Sequence, residues 1–209
     1  MIESIEELAE AITRHFEAKD GAREVALKLN RQVIRKCGAA IRSVHRGEFD
    51  QAKQLMDGAG LLLSEIWAIL KDHPDVRYAG FVFNAEQEYA EARMVYSIIT
   101  QHRTPPPDEI GVEMTSYLAG LGDTTGEMRR HILDLIRQGR PEDAEPFLDA
   151  MEEIYHLLML FDYPDAMTKG LRRKGDMARS ILERTRGDLT NAIGQRKLEI
   201  QLQNRNHHN

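Results

Sequence analysis

Two pairs of carboxylates stand at helical spacing in this sequence. Glu88 and Glu91 are three apart in Asn84-Ala85-Glu86-Gln87-Glu88-Tyr89-Ala90-Glu91-Ala92, and Asp123 and Glu127 four apart in Tyr117-Leu118-Ala119-Gly120-Leu121-Gly122-Asp123-Thr124-Thr125-Gly126-Glu127. Either spacing puts both acids of a pair on one side of an α-helix, where they can meet over one ligand. If both pairs face one pocket, four oxygen donors suit hard divalent cations such as Mg2+ or Mn2+. Two such ions can activate a water and stabilise the leaving oxygen of a phosphodiester.

Projection at about 100° per residue separates the glutamates. Glu88 falls on an apolar stripe with Phe81, Ala85, Ala92 and Val95, Glu91 borders that stripe, and Glu86 projects away, towards solvent. A carboxylate on a packing face is costly unless it is paired, protonated or bound to a cation, so Glu88 requires a partner. The apolar face of the second segment, Leu121, Met128, Ile132 and Leu135, lies opposite Asp123, which leaves a solvated acidic face as the alternative for that pair. Gly120, Gly122 and Gly126 each cost roughly 1 kcal/mol in a helix relative to alanine, so close approach of another helix or a ligand is expected there.

A second constellation is cationic. Lys28, Arg31, Arg35, Arg42 and Arg46 project within roughly 60° of one another on one helix, apart from the apolar face of Val25, Leu29, Val33, Ala40 and Val44. The stripe spans about 27 Å at 1.5 Å per residue, enough to contact several phosphates. A solvated face is the bland reading, yet four of the five are arginine, the residue that pairs bidentately with phosphate, and no acid interrupts the stripe.

Other chemistry is sparse. Glu153 and His156 make a single E-x-x-H where a di-iron bundle needs two, so His156, His45 and His131 read as ordinary packed or surface histidines. No phosphate-binding glycine loop, zinc spacing or nucleophile context is present. His207 and His208 carry no functional reading.

The elements that must position these residues are helices. Apolar periodicity and Gly/Pro punctuation predict Ser4–Lys19, Gly21–Arg46 capped by Asp20, Phe49–Lys71 ended by Asp72-His73-Pro74, and a helix from Asp75 to His102. After Thr104-Pro105-Pro106-Pro107 come Ile110–Gln138 before Gly139, Pro141–Phe161, and Asp165–Arg186 following Asp162-Tyr163-Pro164. Short connections between long helices force antiparallel packing, so the expected fold is an all-α, seven-helix antiparallel bundle over 1–187, with a polar tail, 188–209, partly helical or disordered.

The composition of the 209 residues agrees: 42% hydrophobic and 30% charged with 7 prolines is the balance of an ordered helical chain. A lone Cys37 forms no internal disulfide, and the first ten residues lack the basic start of a secretion signal, so a reducing cytoplasm is expected. A net charge of −6 argues against coating nucleic acid by bulk charge and leaves the decision to where the charges sit.

At these residues the sequence resembles the translin and Trax family, specifically its Trax branch, the nuclease subunit of the translin-Trax ribonuclease complex. Gln87 to Ala92 is similar to the branch's Q-E-Y-V-E-A, and Tyr117 to Glu127 to its Y-L-L-G-V-A-D-L-T-G-E. Leu29-Asn30-Arg31 through Val44-His45-Arg46 is similar to the helix reading L-S-R and ending L-H-R, and Leu160 to Leu189 to the final helix with its Arg-Gly stop, here Arg186-Gly187. Gly38 stands where the branch carries a lysine, and Thr124 where it carries a leucine.

The resemblance implies that Glu88, Glu91 and Asp123 are catalytic metal ligands with Glu127 a fourth. It also implies a seven-helix fold assembling into a closed octameric shell with RNA inside. Such a shell can be acidic outside and line its cavity with the Lys28 to Arg46 stripe. The expected activity is therefore a Mg2+- or Mn2+-dependent endoribonuclease, a homo-oligomer acting on single-stranded or short duplex RNA. The alternatives are a non-catalytic shell binding RNA or single-stranded DNA, and a purely structural scaffold.

Overall fold

The fold is taken from a computed structural model that describes residues 4–206; His207 and His208 lie outside them. Among the described residues every regular element is helical, and no helix is long and apolar enough to cross a membrane.

Helix α1 (Ile5–His45) begins at Ser4, whose hydroxyl accepts from the Glu7 backbone N–H at 3.1 Å, and stops before Gly47 at φ +75°. The expected break at Asp20 does not occur. Asp20 lies 3.8 Å from Arg23 instead of capping, and Gly21 weakens the helix without removing a backbone hydrogen bond, as a proline would. Ala26, Asn30, Val33, Cys37, Ala40, Ile41 and Val44 form its buried stripe, whereas Val25, placed on that face by projection, is 47% exposed.

Helix α2 (Phe49–Ile69) returns along α1. Pro74 then opens a single turn, α3 (Pro74–Arg77), and extended backbone at Ala79 separates it from α4 (Gly80–Gln101), so the helix expected from Asp75 starts at Gly80. The proline run leads through the turn α5 (Pro107–Ile110) and Gly111, at φ +74°, into α6 (Met114–Arg137), which ends before Gly139 as expected.

A 3-10 turn at Pro141–Ala144 precedes α7 (Glu145–Met159). The turn α8 (Asp165–Thr168) ends where Lys169 and Gly170 both take positive φ, and α9 (Leu171–Asn206) follows. Arg186-Gly187 does not stop that helix. A Cβ at Gly187 would meet nothing within 4 Å, so the glycine answers no steric need, and Leu189 and Ile193 continue the buried stripe of Leu171, Ala178 and Leu182.

Six helices longer than one turn thus make the bundle among the described residues, the first two expected ones being fused. Helix α1 packs on α2 and α4, α4 on α6, α6 on α7 and α9, and α7 on α9. This brings the two acid-bearing helices together at the centre, with α1 on one side and α9 on the other.

Candidate functional site

Helices α4 and α6 cross at Gly120. A Cβ there would lie 2.6 Å from the Gln87 carbonyl oxygen, 2.9 Å from the Ala90 Cβ and 2.9 Å from the Glu91 nitrogen, so only glycine admits this approach. Gly122 has the same function against α9, where an added Cβ would stand 3.1 Å from the Lys174 Cβ. The expectation of close approach at the glycines holds at these two and not at Gly126, around which nothing lies within 4 Å.

The crossing brings the two acidic pairs towards each other. Burial raises the Glu88 carboxyl above the usual range, and the charge of Asp123 raises it further. Burial pushes Glu91 up to about 8, with Asp123, Glu88 and Glu127 adding in that order. Asp123 is thus within electrostatic reach of Glu88 and Glu91, and Glu127 of Glu91; with its side chain 24% exposed, Asp123 is half-buried and does not sit on a freely solvated face. Among the described residues, however, no three His, Cys, Asp or Glu side chains converge closely enough to enclose an ion.

Each acid also has neighbours that projection did not reveal. Lys174 of α9 forms an ion pair with Asp123 Oδ1, and Gln87 of α4 donates to Asp123 Oδ2. His45, from the last turn of α1, donates from Nε2 to Glu127 Oε2 at 2.6 Å, and Arg130 lies 3.6 Å from the same oxygen. The hydrogen bond from His45 is the main cause holding Glu127 below the usual carboxylate range. The Cys37 thiol, buried on α1, is pushed well up, first by burial and then by Glu88 and Glu91, so it is an inert neutral neighbour. His45 is packed, as expected, and also bonds one of the four acids. Its signal in the sequence was its place one residue before Arg46, between the buried stripe and the cationic one. His131 does pack, edge-on at 4.5 Å to Phe147, and burial drives it down to about 4; Glu153 and His156 are exposed.

Glu86 departs from expectation. It is 1% exposed, accepts from Trp67 Nε1 and Ser116 Oγ at 2.9 Å each, and lies 3.9 Å from Arg77. Helix α4 is covered by α1, α2 and α6 and has no fully solvated side at this level, so a projection that assumes one face in and one face out fails there. Arg77, stacked 5.2 Å over Trp67, supplies the compensating charge.

Lys28, Arg31, Arg35 and Arg42 on α1, and Arg46 just past its end, are all exposed. Arg46 is engaged by Glu48 at 2.7 Å, while the other four form no ion pair among the described residues. Arg42 and His45, three residues apart, differ by roughly 60° around the helix, so the cationic stripe borders the side of α1 that meets Glu127.

No protein-family model matches the chain. The solved structure of AfC3PO with duplex RNA aligns at a TM-score of 0.83 with 32% identity, over 90% of this chain and 97% of that one. The structure of AfC3PO gives a TM-score of 0.83 at 31% identity, over 90% and 98%. Apo-NeC3PO, at 24% identity and a TM-score of 0.75 over 92% and 98%, shares the fold. The uncharacterized protein MJ0175 of Methanocaldococcus jannaschii is 32% identical over 185 residues, 88% of this chain and 82% of that protein. With the helical architecture, the Gly120 crossing and this similarity across nearly its whole length, the chain belongs to the C3PO family, that of translin and Trax.

Proposed function

We propose that the protein is a metal-dependent endoribonuclease that cleaves single-stranded or short duplex RNA within a homo-oligomeric shell. The observation that supports this reading is that Glu88 and Glu91 on α4 lie within electrostatic reach of Asp123 on α6, and Glu91 also of Glu127, beside the α4–α6 crossing at Gly120. An all-oxygen donor set of this kind fits Mg2+ or Mn2+, and the elevated Glu91 carboxyl marks a cluster short of positive charge. Bound there, the divalent ion would orient the attacking water and neutralise the phosphate in flight.

The protein's own residues do the rest. Gln87 fixes the Asp123 carboxylate, His45 fixes Glu127, and the Lys28 to Arg46 stripe holds the RNA backbone. Contacts of that kind read phosphates and sugars and give little sequence preference. Duplex RNA in the AfC3PO complex supports RNA as the ligand. In a shell with the stripe turned inward, a net charge of −6 is compatible with this.

One observation favours a second reading, a non-catalytic RNA-binding shell: Asp123 already has both oxygens engaged by Lys174 and Gln87. End-labelled single-stranded RNA incubated with Mg2+, Mn2+ or EDTA separates the two. Metal-dependent cutting that disappears in Glu88→Ala and Asp123→Ala, with RNA binding retained, is the expected outcome. Tight binding without cutting in either metal supports the second reading.

A further inference from the structure

We propose that Lys174 is a resident counter-ion of the acid cluster, which a divalent cation must displace from Asp123 in order to bind. This rests on the metal reading of the four acids given above. Its place beside the core of α9 singles the residue out. Leu171, Gly175, Ala178 and Leu182 form the buried stripe of α9, and Lys174 borders it, half-buried against α6. Its side chain is only 17% exposed, and its stem lies against α6 in the space left by Gly122. Two helices are thus shaped to hold an ammonium in this place, unlike Lys28, which is exposed on α1.

The ammonium does what a bound cation would do. It pairs with Asp123 Oδ1 and its charge also favours ionisation of Glu88 and Glu91, opposing burial. Gln87 holds Oδ2, so both Asp123 oxygens are engaged while Lys174 remains, and an ion approaching Oδ1 meets the ammonium. A lysine chain has four rotatable bonds and a strongly hydrated head, and it can swing aside without disturbing α9. Its presence keeps the carboxylates together in metal-free protein and raises the metal concentration needed to fill the site.

Calorimetric titration of the full chain with Mn2+, for wild type, Lys174→Met and Lys174→Gln, tests this, with melting curves in EDTA and in Mn2+. Removing a like charge a few ångströms from the ion should tighten Mn2+ binding about tenfold in both variants. Both should melt lower than wild type in EDTA, and Mn2+ should close the gap, because the metal stabilises most the form that binds it best. Unchanged or weaker Mn2+ binding in the variants, with the same melting deficit in EDTA and Mn2+, would make Lys174 a purely structural residue and overturn the proposal. Should wild type bind Mn2+ and lose it in Asp123→Ala while the lysine variants match wild type, the metal reading stands and the counter-ion alone falls. Should none of the proteins bind Mn2+, both fall.

Discussion

His45 Nε2 on α1 and Glu127 Oε2 on α6 lie 2.6 Å apart although 82 positions separate them in the chain. The contact ties the end of the helix that carries the cationic stripe to one of the four acids. Because the hydrogen bond favours the charged carboxylate, Glu127 titrates below its ordinary value of 4.5 in the folded protein. The stability it contributes is present above that ordinary value and is lost as pH falls through the lowered one. Glu127→Gln should therefore be about 1–2 kcal/mol less stable than wild type at pH 7 in urea unfolding, the gap narrowing as pH falls below 4.5 and through the lowered value. A deficit that persists unchanged at pH 3 would refute the assignment.

Glu91 works in the opposite direction. Its folded value, raised from 4.5 to about 8, means that the native chain holds a proton which the unfolded chain releases across that window. Stability should fall as pH rises from about 4.5 to 8 in EDTA, and Glu91→Gln should flatten the profile and gain about 2–4 kcal/mol at pH 8. Thermal melts across this range measure it, and identical slopes for the two proteins would contradict it.

Glu86 is an acid of the same sequence block with a different task. Glu86→Ala strips the acceptor from Trp67 and Ser116 and leaves Arg77 with only the more exposed Glu113, so it should cost about 2–4 kcal/mol. At a temperature where the variant remains folded, its RNA cleavage per folded molecule should equal wild type. A selective loss of cleavage would instead put Glu86 in the site.

Two glycines of one helix should respond with opposite sign. Gly120→Ala forces a methyl into the Gln87 carbonyl and should destabilise by about 2 kcal/mol or more, whereas Gly126→Ala, with open space around it, should gain about 0.5–1 kcal/mol. Denaturant midpoints of the two variants decide the point.

The sequence by itself determined the helical class, the Gly47 and Gly139 stops, the exposed cationic stripe and the placing of two acids on each of two helices. These follow from local rules: periodicity, proline and glycine punctuation, and i, i+3 or i, i+4 spacing. Local rules failed at Gly21 and Gly187, where a glycine weakens a helix without breaking it and the flanking residues carry the helix through. They failed at Glu86 because a helix enclosed by three others has no side reserved for water. Only the tertiary structure decided which groups meet across helices: Gln87 with Asp123, Lys174 with Asp123, and His45 with Glu127. Such contacts depend on the crossing of α4 and α6 at Gly120 and on the register of α9 against Gly122, and neither is encoded in the spacing along any single helix.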